Sequence, residues 1–155
     1  MFGPLNGRNS LVNQIKQLIR TVLDFPKPGI RFRDITPLLA DARGLAAVIG
    51  GLADRYRGKI DKIAAIEARG FIFGAAIAHA VGVGFVPIRK PGKLPHLSIG
   101  HEYELEYGSN RVEIHVDGLA VGERVAIVDD LLATGGTASA AIALVEQVGA
   151  HIVEC

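Results

Sequence analysis

One cysteine, at the last position, is all the thiol chemistry in this sequence of 155 residues. Cys155 has no second cysteine with which to form an intramolecular disulfide, a redox pair or a zinc pair, and a reducing, cytoplasmic setting fits it best. The 5 histidines are scattered without the spacing of a zinc site. An excess of one charge is also missing. The 17 Lys and Arg face 16 Asp and Glu for a formal charge of +1, so the broad electrostatic footprint of a nucleic-acid binder is absent and no such partner is expected. Met1 to Ser10 carries no cationic stretch followed by an apolar run, which argues against a secretory leader. The longest apolar run, Phe71 to Ile88, has His79 as its one polar residue. Gly82 and Gly84 split it into a small-residue helical half and a β-branched half, the pattern of a buried helix followed by a buried strand and not of a membrane span.

What is present describes a globular chain. The composition is 49% hydrophobic and 21% charged, and the length suits a single domain over residues 1–155, without repeats or linkers. Glycine, at 19 residues, exceeds the typical ~7% and implies many tight turns or close backbone approaches. Apolar residues from Leu11 to Leu23 fall at helical spacing, with Ser10 placed to cap them. The Pro-Gly-rich Phe25 to Gly29 reads as an ordered loop. A second helix is expected from near Asp41, its cap, to Tyr56.

Further on, Lys62 to Ile66, Val83 to Ile88 and Arg124 to Val128 read as buried parallel strands. Helices follow the first and the last of them, the last running from Thr137 to Val148, and Ile152-Val153 opens one more strand. Glu102 to Tyr107 and Arg111 to Val116 alternate and flank a turn at Gly108-Ser109-Asn110, which predicts a hairpin. The fold class is therefore α/β, with an open, mainly parallel sheet flanked by helices and interrupted by an antiparallel hairpin.

The segment Val125 to Thr137, VAIVDDLLATGGT, is the richest in chemistry. An apolar strand ends in Asp129 and Asp130, and ligands of open α/β sheets bind at the carboxyl ends of strands. Ala133, Thr134, Gly135, Gly136 and Thr137 then offer backbone N–H groups, two hydroxyls and a helix N-terminus, a cradle for a phosphate monoester. Neither GxGxxG nor a P-loop lysine is present. The two acids suit a vicinal diol such as that of a ribose. The bland alternative, acids that merely cap the helix, explains the neighbouring TGGT poorly.

Glu67, Ala68 and Arg69 form the turn after the Lys62 to Ile66 strand, where the Arg69 fork suits a diphosphate. Arg89, Lys90 and Lys93 gather cations where a leaving diphosphate would need neutralising. Phe32, in an otherwise polar run between Arg31 and Arg33, is placed to stack on a flat heterocycle. Glu102, Glu104 and Glu106 share a strand face, and their pattern alone does not single out one for proton work.

IVDDLLATGGT resembles the signature of the type I phosphoribosyltransferases. Three more segments, FPKPGIRFRDITPLL (25–39), IEARGFIFGAAIA (66–78) and PIRKPGKLPH with HEYELEYG (87–96 and 101–108), are similar to the adenine-using branch of that family. The resemblance implies transfer of the phosphoribosyl group of 5-phosphoribosyl 1-diphosphate to adenine in purine salvage. It implies Asp129 and Asp130 on the ribose, residues 133–137 on its phosphate, and Glu67, Ala68, Arg69, Arg89, Lys90 and Lys93 on the diphosphate. Residues 25–39 become the base-binding segment, with Arg31 and Arg33 reading the base through main-chain groups beside Phe32. Residues 89–116 become a flexible hood, in which ELEYG singles out Glu106 and Tyr107 for catalysis together with Arg69. Mg²⁺ comes with the diphosphate and needs no protein ligand set, and a homodimer is implied. Set beside that family, the C-terminal end reads as short. Transfer to another purine such as xanthine or hypoxanthine, a non-catalytic regulator that senses the donor, and a generic phosphate-ester binder stand as rival readings.

Overall fold

Residues 5–104 and 108–155 are described by a computed structural model, with side chains from residue 11 onward, and they divide after Gly51 into two units. The first holds helix α1 (Leu5–Gln17), strands β1 (Arg20–Leu23) and β2 (Arg31–Asp34), helix α2 (Thr36–Ala40) and the start of helix α3 (Ala42–Tyr56). The expected first helix thus ends early, because Arg20 to Leu23 pair antiparallel with Arg31 to Asp34. Ladder bonds and the Arg20–Asp34 ion pair (Nε to Oδ2, 2.9 Å) outweigh a helical spacing that so short a stretch shares with a strand. Ser10 lies inside α1 and is not its N-cap.

Asp34 also accepts the Thr36 N–H at 2.9 Å. That backbone bond, the Thr36 hydroxyl and Arg20 hold its carboxyl down at about 2. Between the strands Asp24 and Gly29 take positive φ, 57° and 87°, and the Gly29 N–H donates to Asp24 Oδ1 at 2.7 Å, closing the loop expected there. Asp41 caps α3 as expected, accepting the Gly44 N–H at 2.6 Å.

The second unit, from Leu52, contains β3 (Lys62–Ile66), α4 (Gly70–Val81), β4 (Gly84–Ile88), β5 (Ser98–Glu104), β6 (Ser109–His115), β7 (Arg124–Val128), α5 (Gly136–Val148) and β8 (His151–Glu154). The apolar runs without alternation become a parallel sheet of order β4-β3-β7-β8. The long run from Phe71 resolves into α4 and β4, with Gly82 in the left-handed region ending the helix. Among the described residues no helix is long and apolar enough to cross a membrane.

Alternation along β3 divides the core. Ala64 and Ile66 join Val86, Ile127, Leu144 and the hairpin residues Val112 and Ile114 in one cluster. On the other face Gly74 of α4 meets Ala65, Phe85 and Ile63. The β5–β6 hairpin forms, but β5 starts at Ser98 and β6 already at Ser109, opposite Glu104. Ser109 and Asn110 are therefore strand and not turn, and residues 105–107 lie outside the described residues. Mutual backbone hydrogen bonds between Arg89 and Glu113, at 2.9 and 2.7 Å, tie the hairpin to the end of β4.

A Cβ on Gly74 would stand 2.5 Å from the Ala65 Cβ, with the Phe85 ring at 3.2 Å. Strand and ring must both shift to admit it, so Gly74→Ala is expected to lower the unfolding free energy by about 1–3 kcal/mol, read from urea denaturation.

Candidate active site

Parallel pairing puts the carboxyl ends of β3, β4 and β7 at one sheet edge, and the segments beyond β3 and β7 line a cleft of about 360 Å³. Glu67, Ala68, Arg69, Lys90, Asp129, Asp130 and the stretch from Ala133 to Thr137 all border it, so most of the residues singled out from sequence converge on one space. The approach of the two turns is close. A Cβ on Gly70 would lie 2.8 Å from the Val128 carbonyl oxygen, so only glycine lets α4 begin against the end of β7. The Glu67–Ala68 peptide bond is cis.

The two acids differ in setting. Asp130 has a side chain 7% exposed, and Arg69 Nε meets its Oδ2 at 2.8 Å. Asp129 keeps open surface, and its Oδ1 accepts the Asp130 N–H at 2.8 Å. The cleft walls nevertheless remove enough of its hydration to push the Asp129 carboxyl up to about 6, and the Asp130 charge adds to the rise while Arg69 opposes it.

Beyond them the chain turns at Gly135 (φ 86°), the N-cap of α5, where no side chain caps the helix. The first-turn N–H groups of α5 are left for an anion from the cleft. Gly136 lies tight against the Tyr103 ring, which a Cβ there would approach to 3.0 Å.

Two of the expected cations stand outside the cleft lining. Arg89 donates through Nε to Glu67 Oε2 at 2.8 Å and through Nη1 to the Lys93 carbonyl at 3.0 Å. Neither Arg89 nor Lys93 borders the cleft. In the first unit, Phe32 meets Phe25 edge-on with ring centres 5.2 Å apart, Arg33 donates to the Thr21 hydroxyl, and Arg31 stands opposite Leu23 in the ribbon. Glu106 and Tyr107 lie outside the described residues. Six cleft residues were not singled out, the apolar Ile66, Val112, Leu131, Leu132 and Ala138 and the polar Tyr103. The leucines stand inside the quoted signature with no polar atom to mark them. Alternation put Tyr103 on one hairpin face without saying what that face meets.

Among the described residues no group of three His, Cys, Asp or Glu is arranged to hold a metal ion. Two adjacent carboxylates, one of them already paired with Arg69, suit a cation that arrives on a phosphate with its own waters, as Mg²⁺ does.

A phosphoribosyl transferase domain model matches residues 32–155, and a match over so much of its length makes the chain a member of the phosphoribosyltransferase family. Within that family the similarity is to adenine phosphoribosyltransferases. The one from Methylobacillus flagellatus is 60% identical over 142 residues, 91% of this chain and 81% of that one. The crystal structure of the Thermoanaerobacter pseudethanolicus adenine phosphoribosyltransferase superposes with a TM-score of 0.87 at 56% identity, covering 91% of this chain and 83% of that chain. The Saccharomyces cerevisiae adenine phosphoribosyltransferase, complexed with an imino-altritol bisphosphate and adenine, superposes with a TM-score of 0.87 at 40% identity, covering 94% and 89%.

The raised Asp129 carboxyl has a stability consequence. The folded state holds this proton more tightly than the unfolded chain, so the contribution is fully present below the ordinary carboxylate pKa and is lost as pH rises through about 6. Asp129→Asn keeps an acceptor for the Asp130 N–H without the charge. It is expected to raise the melting temperature at pH 8, by an amount equivalent to roughly 1 kcal/mol after allowing for solvent screening. The gain should vanish near pH 4, as scanning calorimetry at the two pH values would show.

Proposed function

We propose that this protein transfers the phosphoribosyl group of 5-phosphoribosyl 1-diphosphate to adenine, giving AMP and pyrophosphate in purine salvage. The observation that carries the reading is the meeting, in one cleft, of an acid pair at the end of β7, a glycine turn at an uncapped helix N-terminus and the Arg69 turn. One end of the cleft suits a sugar phosphate and the other a diphosphate. The adenine phosphoribosyltransferases to which the chain is similar support the choice of base.

In the reaction, adenine N9 attacks the anomeric carbon from the face opposite the diphosphate. The C1–N9 bond forms as the C1–O bond to pyrophosphate breaks, with inversion, and the purine loses a proton. Charge separates as the diphosphate leaves, so the protein's contribution is positioning and stabilisation of that charge. Asp129 and Asp130 accept hydrogen bonds from the ribose 2- and 3-hydroxyls. Residues 133–137 donate backbone N–H groups and the Thr134 and Thr137 hydroxyls to the 5-phosphate. Arg69, with the backbone of Glu67 and Ala68 and with Lys90, receives the diphosphate, and Arg89 and Lys93 add positive charge nearby. Phe32 stacks on the base while main-chain groups of Arg31 and Arg33 read its edge. Glu106, beside Tyr107, manages the purine proton.

Carried by the diphosphate next to Asp129 and Asp130, Mg²⁺ would supply partial neutralisation of the leaving group's charge. Residues 89–116 act as the hood that keeps water from the activated sugar. The same reading makes the protein a cytoplasmic homodimer.

Incubation with the donor, Mg²⁺ and each of adenine, hypoxanthine, guanine, xanthine and orotate tests the proposal. Pyrophosphate release with adenine above the others supports it. Release with none of them from a folded sample overturns the catalytic reading, and preference for another purine overturns the choice of base. Asp130→Asn, which loosens Arg69 as well as the diol contact, is expected to lower kcat/KM about 10²-fold.

A further inference from the structure

Tyr103 is not among the residues to which the proposed reaction gives work, yet it borders the cleft. It stands on β5 between the exposed acids Glu102 and Glu104, so strand alternation turns its ring to the inner face. There the ring covers the backbone of the glycine turn, since a Cβ on Gly136 would touch Tyr103 Cδ2 at 3.0 Å. Its hydroxyl reaches one residue further, and the Thr137 hydroxyl donates to Tyr103 Oη at 3.1 Å. Both side chains are half-buried.

We infer that Tyr103 is a positioning residue for the 5-phosphate: it holds the Thr137 hydroxyl in place and couples filling of the phosphate cradle to the position of the β5–β6 hairpin. The inference rests on the phosphoribosyl reading above and adds a residue to it.

The physical basis is the hydroxyl pair itself. Each hydroxyl has one proton and can rotate. In the structure Thr137 gives its proton to Tyr103. A phosphate in the cradle needs that proton, and the pair can invert: Tyr103 then donates to Thr137 Oγ1 while Thr137 donates to a phosphate oxygen. A hydroxyl that accepts one hydrogen bond donates a second more strongly, and the Thr137 rotamer needs no search. The same pair joins α5 to β5, the strand that leads in sequence to Glu106, so a bound phosphate also steadies the hairpin.

The test uses the full chain and ribose 5-phosphate as the probe. By calorimetry, Tyr103→Phe, which keeps the ring over Gly136, is expected to bind ribose 5-phosphate about fivefold to tenfold more weakly than wild type, as for one hydrogen bond. Its KM for the donor should rise by a similar factor, with kcat within about twofold. In a Thr137→Val background the same substitution should cost nothing further. Tyr103→Phe binding equal to wild type, or an undiminished cost in the Thr137→Val background, would overturn the inference.

Amide exchange of wild type provides a measurement free of any folding defect. Ribose 5-phosphate should slow exchange along residues 98–104, and unchanged exchange in the saturated protein counts against the coupling. A wild-type protein that does not bind ribose 5-phosphate overturns the phosphoribosyl reading and this inference with it. Wild-type binding without a Tyr103→Phe effect removes this inference alone.

Discussion

The register of β3 against β7 is the constraint on which the cleft depends. Lys62 stands opposite Val125 and Ala65 opposite Val128, so the two strands finish level and the turns beyond them, one carrying Arg69 and the other Asp129 and Asp130, emerge side by side. Slipping the register by one residue would send Ala64 and Ile127 from the α5 face to the α4 face and turn every strand partner inside out. Burial of Ile63, Ile127, Leu144 and their neighbours opposes that slip with roughly 1.5–3 kcal/mol for each large side chain. The Arg69–Asp130 pair, with its arginine a third exposed, contributes about 1 kcal/mol at most. Core packing therefore sets the site, and the ion pair follows from it.

Charge around the cleft is arranged in pairs. Arg69 is held by Asp130 and Arg89 by Glu67, while Glu113, whose backbone anchors the hairpin to Arg89, also accepts the Gly92 N–H through its side chain at 3.2 Å. An incoming diphosphate on the proposed reading meets cations whose direction is already fixed, so little reorganisation remains for the moment of bond breaking. Lys90 is exposed at the cleft, on the same turn as Arg89.

Where a signal was both physical and long enough, the sequence was a good guide. Ile63 to Ile66 and Val125 to Val128 are unbroken apolar runs, which in a parallel sheet means burial on both faces, and both are buried strands. The acid pair followed by TGGT was legible because few other structures need those residue types at a strand end. Four residues, Arg20 to Leu23, were too few for periodicity to separate a strand from the tail of a helix, and the deciding partner, Asp34, is 14 positions away from Arg20. The early start of β5 was hidden by Gly100, an unlikely strand residue in isolation. There the Arg111 guanidinium folds over the space a Cβ would take. Likewise three cations near residue 90 look equivalent in sequence, and only the fold shows that Glu67 engages one of them.

Asp129 and Asp130 show how far environment separates two identical neighbours. One is screened from water and matched with a guanidinium; the other faces the cleft, where lost hydration and its neighbour's charge raise its carboxyl to about 6. At neutral pH Asp129 is still mostly ionised, so the cleft holds a negative charge that it would shed with a small drop in pH. A ligand that brings its own cation, or that donates two hydroxyl protons to this carboxylate, relieves that strain and draws the titration back down. A bare diphosphate does the opposite. On the proposed reading the acid pair would favour a metal-carrying sugar over the free anion, through a difference in solvation between two residues that the sequence alone presents as equals.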